Sequence, residues 1–168
     1  MSLDNLQLAP VVLQHLYRTS LVDLTPANTH RELVSAAEKL NYLGENKGNV
    51  VVIVENPAAI YLSDDELNFL IGILSACKLS MADIALVNIH KNGQLNYTAI
   101  TDQLKAEKIL LFGVDPSVLD LPLQFPFYQI QRFNSQVYLS SPELKILSEN
   151  RDEKMKLWNC LKQLFSIA

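Results

Sequence analysis

Val50-Val51-Val52-Ile53-Val54, running into Glu55-Asn56-Pro57, is the stretch that decides the fold. Five β-branched residues in succession favour an extended strand. A strand with one wet face alternates apolar and polar residues. An unbroken apolar run is covered on both faces, the pattern of a central strand in a parallel sheet. Pro57 ends it, because proline lacks an amide donor and pushes Asn56 away from helical backbone. Upstream, Gly44-Glu45-Asn46-Lys47-Gly48-Asn49 is polar and bounded by glycines, hence a turn.

Working outward, helices and strands alternate. Ser63 and Glu66 form a capping box, with Asp64 and Asp65 suited to the positive end of the helix dipole. The helix carries Leu67, Leu70, Ile71 and Leu74 and runs to about Cys77. Residues 84–89 read as a second strand, 96–107 as a helix with Ile100 and Leu104 inward, and 109–112 as a third strand closed by Gly113. Residues 115–126, with three prolines, read as a loop with one helical turn. Residues 127–131 read as a fourth strand and 137–139 as a short extended piece. Pro142 is placed at the first position of a short helix. Asn150 caps the last helix, with Glu153 completing a further capping box and Met155, Trp158, Leu161, Leu164 and Phe165 along one side. Trp158 reads as core.

The first part of the chain reads separately. Ala9-Pro10 starts a helix on which Leu13, Leu16 and Tyr17 share a face. A connector follows, and Thr29 with Glu32 caps a helix bearing Leu33, Ala36, Ala37 and Leu40. The expected organisation is an N-terminal helical segment and connector over 1–24 and a single α/β domain over 25–168. That domain is expected to be a three-layer α/β/α fold with a mostly parallel sheet of about four strands.

Composition excludes several classes of function. The 168 residues are 49% hydrophobic and 19% charged, with net charge −4, an ordinary globular balance. Phosphate-backbone binding draws on clustered Lys and Arg, so direct nucleic-acid contact is not expected. No positive region precedes an unbroken apolar run and no apolar stretch is long enough to span a bilayer, so neither signal peptide nor membrane span is expected. With Cys77 and Cys160 both in apolar helical patterns, a reduced, cytoplasmic protein is expected.

The five glycines, at 44, 48, 72, 93 and 113, form neither a dinucleotide fingerprint nor a phosphate-binding loop. His15, His30 and His90 lie in different elements, and two cysteines do not make a metal site, so no metal or cofactor is expected. No nucleophile elbow is present. Asp64-Asp65-Glu66 is accounted for by the helix dipole. Asn56 is the one pocket candidate, since it follows the most buried strand at the carboxyl edge, where open α/β sheets bind ligands. An X-Pro turn is the favoured account of it. The Leu13, Leu16, Tyr17 stripe, with Leu6 before it, suits core and partner-binding surface about equally, and is kept as a candidate partner surface.

The succession of segments resembles the psi subunit of DNA polymerase III. Val50 to Pro57, the helix ending Phe69-Leu70-Ile71-Gly72-Ile73-Leu74, and above all Ser141-Pro142-Glu143-Leu144, Leu147, Asn150, Lys154 and Leu157-Trp158 are similar to that family in order and spacing over about residues 49–164. The resemblance implies a clamp-loader accessory protein without catalysis or cofactor. Its N-terminal segment, here Leu6 to Tyr17, would bind clamp-loader subunits, and its body would bind a chi-like partner. This segment departs from the family in carrying Arg18 alone and no tryptophan. The psi fold is similar to that of uracil-DNA glycosylases, which supplies the alternative of a uracil or mismatch glycosylase, or an inactive relative, with Asn56 in its pocket. Against that alternative, Ala58 stands where the enzymes carry glycine, and Arg132-Phe133-Asn134-Ser135 lacks the histidine of their second motif.

Overall fold

The computed structural model describes residues 39–93, 95–122 and 124–167. Along the chain come β1 (Val50–Val54), α1 (Asp64–Ala76), β2 (Ile84–Asn88), α2 (Tyr97–Leu104), β3 (Lys108–Phe112), β4 (Ile130–Phe133), β5 (Gln136–Ser141), α3 (Leu144–Glu149) and α4 (Arg151–Phe165). The strands form one sheet in the order β2-β1-β3-β5-β4. β1 pairs in parallel with β2 and β3, β3 in parallel with β5, and only β4 runs antiparallel.

The run Val50 to Val54 is apolar throughout because each parity faces a different core. Val51 and Ile53 join Ala85, Val87, Ile109, Leu111 and Tyr138 on one face, covered by Ile100 and Leu104 of α2 and by Leu119 and Phe125. Val50, Val52 and Val54 join Ile84, Leu86, Leu110 and Leu139 on the other, covered by α1, α3 and α4 through Leu70, Leu74, Leu147, Leu157 and Leu161. Trp158 is half-buried and packs against this second cluster. Both faces of an α/β sheet thus carry helices. Among the described residues no helix is long and apolar enough to cross a membrane.

Several expectations are corrected. The sheet has five strands rather than about four. The piece at 137–139 grows into β5, a full strand between β3 and β4. Its buried polar ends, Gln136, Ser140 and Ser141, break the apolar pattern that marks a strand. The strand placed at 127–131 is β4 at Ile130–Phe133, with Phe127 making one isolated bridge to Ser140. Pro142 is not the first helical residue, because β5 continues through Ser141 and Glu143 takes the N-cap of α3. α2 stops at Leu104, where Lys105 turns left-handed at φ 47°. Asn150 does cap α4, but the Glu153 carboxylate engages Tyr128 and Lys156, so that box stays open. The box at Ser63 and Glu66 closes as expected. The helices expected before residue 39, with Leu6, Leu13, Leu16 and Tyr17, lie outside the described residues, but Leu40, expected on the second of them, is buried in the first core and lies in no helix.

Candidate functional site

The parallel strands deliver all their carboxyl ends to one edge. The chain leaves β1 toward β2 on one side and β3 toward β5 on the other, so β1 and β3 flank the point where open α/β sheets form a crevice. Three turns line this edge: Glu55-Asn56-Pro57 after β1, Ile89–Lys91 after β2, and Gly113 to Leu119 after β3. Pro142-Glu143 follows β5.

Asn56 stands at this edge with its carboxamide engaged. Its Oδ1 accepts the amides of Ala58 and Ala59, both at 3.0 Å, as an Asx turn built on Pro57. Its Nδ2 donates to Glu66 Oε2 at 3.2 Å. The same Glu66 oxygen accepts from the Ser63 amide and hydroxyl, so the helix cap and the strand turn share one carboxylate. Sequence reasoning missed the residue beneath. Asn88, fully buried at the end of β2, donates through Nδ2 to the carbonyls of Asn56 (2.7 Å), Ala59 (3.1 Å) and Ile60 (3.2 Å). Its Oδ1 accepts the amides of Asn56 at 3.1 Å and His90 at 3.2 Å. Asn92, also buried, donates to the Asn88 and Asn41 carbonyls. The available signal was a polar residue closing an otherwise apolar strand.

Two hollows open on this edge. One, of about 540 Å³, lies beside Glu55, His90, Asn96 and Asp120. His90 Nε2 is 3.2 Å from Glu55 Oε1, and both side chains are well exposed, so water and salt screen the pair. The other, of about 510 Å³, lies between the turn after β3 and the turn after β5. Ser140 is among its lining residues; it is fully buried, and its hydroxyl has no hydrogen-bond partner. Phe125 forms a buried wall, stacked on Tyr138 at 5.0 Å between ring centroids. Tyr138 donates to Gln136 Oε1, and burial pushes its phenol up to about 12. Phe127 and Ile146 are exposed at the rim with the carboxylates of Asp115 and Glu143. Hydrogen bonds from the Ser117 hydroxyl and amide hold the Asp115 carboxyl below the usual carboxylate range. Gly113 lets the two turns meet: at φ +68°, a Cβ there would stand 2.3 Å from Glu143 Cγ.

The absence of a motif histidine from Arg132-Phe133-Asn134-Ser135 goes with a different place in the fold. Arg132 to Ser135 belong to the end of β4 and the hairpin turn before β5, not to a segment following the last strand. Among the described residues no three His, Cys, Asp or Glu side chains converge as a metal site. No protein-family model matches the chain, and no curated protein matches it significantly.

Proposed function

We propose that this chain is a non-catalytic accessory protein of DNA replication, of the psi-subunit kind, bridging clamp-loader subunits and a chi-like partner in the cytoplasm. The observation that carries the reading is the state of the carboxyl edge. Asn56 Oδ1 already accepts two backbone amides and its Nδ2 is tied to Glu66, so no acceptor lone pair is left to hold a water for attack. Asn88 is committed in the same way. The strands β2-β1-β3-β5, with an Asn-Pro turn after β1, support a glycosylase-like arrangement in which the edge has become scaffold. Exposed apolar side chains such as Ile60, Phe127 and Ile146 supply surface for docking.

Affinity capture with the tagged full chain from native extract tests the proposal. Recovery of clamp-loader subunits, identified by mass spectrometry, is the expected result, and recovery of none removes its support. A uracil- and mismatch-excision assay covers the rival reading. Base excision that disappears in Asn56→Ala would establish an enzyme instead.

A further inference from the structure

We propose that the groove between the turn after β3 and the turn after β5 receives a polar-tipped aromatic side chain, tyrosine or tryptophan, flanked by a basic residue, from the protein partner. The inference rests on the docking reading above and names where and by what chemistry docking occurs. Three observations define the occupant. The walls are apolar: Phe125 is buried, and Phe127 and Ile146 are about half exposed, at 54% and 47%. They suit the face of a large ring. Ser140 is among the lining residues, and its hydroxyl is buried without a partner. A buried hydroxyl in that state favours an incoming group that can hydrogen-bond, so a ring with an O–H or N–H tip fits better than phenylalanine. The rim is anionic: Asp115 and Glu143 line it and no lysine or arginine does. That charge repels phosphate and attracts an ammonium or guanidinium group, which points to a protein partner rather than a nucleic acid. Glu143 makes no cap hydrogen bond to α3, and Gly113 lets its backbone approach the opposite turn.

The test is an amide NMR titration of the full chain with N-acetyl-Tyr-Arg-amide as probe. Saturable shifts centred on Val114, Asp115, Phe127, Ser140 and Ile146 are expected. N-acetyl-Tyr-Glu-amide should bind about fivefold more weakly, because exposed rim charges exert a modest, screened effect. Glu143→Gln, a surface change, should narrow that difference. Wild type should also prefer Tyr-Arg over Phe-Arg, and Ser140→Ala should erase the preference while leaving Phe-Arg binding in place. Absence of saturable binding, shifts centred elsewhere, equal response to Tyr-Glu and Tyr-Arg, or an oligothymidylate occupying the groove would each overturn the assignment. Affinity capture separates the two levels. If wild type and a Phe127→Ser/Glu143→Gln variant recover the chi-like partner equally, the groove is wrong and the docking reading survives. If wild type recovers no partner, both fall.

Discussion

At Asn88 one neutral carboxamide joins the turn after β1 to the turn after β2. Its oxygen takes two amides and its nitrogen serves three carbonyls, and Asn88 itself is fully buried. Buried polar groups left without partners are costly, so Asn88→Ala should destabilise the fold by roughly 2–4 kcal/mol. Asn88→Asp is the sharper probe. It replaces the donating nitrogen with an oxygen aimed at the carbonyls of Asn56, Ala59 and Ile60. The ionised form is then disfavoured in the folded state, and the folded pKa rises above the unfolded value. Below about pH 4 both states are protonated and this penalty vanishes; it grows as pH rises through and beyond that value. Urea midpoints at pH 4.5 and 7.5 should show a larger deficit for Asn88→Asp at pH 7.5. Equal deficits would mean that the carbonyls do not face the substituted oxygen. Asn56 was legible in the sequence because proline follows it. Asn88 was hidden at the end of a strand, where only its partners reveal its importance.

Elements were legible where one physical rule dominates. The runs forming β1, β2 and β3 are apolar on both parities because two cores claim them, and the cap of α1 is local chemistry. β5 was understated because Gln136 is buried through its own partners, donating to Thr101 Oγ1 and the Ala106 carbonyl. The hairpin joining β4 to β5 was missed for a different reason. Asn134 and Ser135 both take positive φ, 49° and 63°, the backbone of a two-residue turn that usually announces itself as Asn-Gly. Serine is strained there, so Ser135→Gly should stabilise the protein by about 0.5–1 kcal/mol in a urea titration. A loss of stability would show that the serine side chain holds the turn. On α4 the helical stripe predicted more burial than the helix has. Leu157 and Leu161 are buried, Trp158 is half-buried and Met155 is 53% exposed. Leu161→Ala should therefore cost about 2–5 kcal/mol, and Met155→Ala no more than about 0.5. Similar costs at the two positions would place the inward face of α4 elsewhere.

On the scale of the molecule, the two cores flank one sheet, with shifted carboxylates at the surface and the Tyr138 phenol inside one core, which sets a pH window for stability. At the acid side, the Ser80 hydroxyl and amide hold Asp83 below the usual carboxylate range, Ser117 does so for Asp115, and Lys156 followed by Tyr128 does so for Glu153. A carboxylate with a depressed folded pKa contributes stability above the unfolded pKa. That contribution fades as pH falls through the folded value, so stability should decline below about pH 4. At the alkaline side the sign reverses. Burial keeps the Tyr138 phenol neutral up to about 12, and burial with the neighbouring Glu153 raises that of Tyr128. An unfolded tyrosine ionises near pH 10, so the unfolded chain releases these protons first and stability falls as pH rises beyond about 10. Urea midpoints measured from pH 3 to 11.5 should give a plateau with a fall at each end. Tyr138→Phe removes one raised phenol together with its hydrogen bond to Gln136. Its plateau should sit lower while its alkaline limb becomes shallower. An alkaline limb as steep as that of the wild type would show that Tyr138 titrates like a solvated tyrosine, and that the stacked Phe125 wall does not shield it.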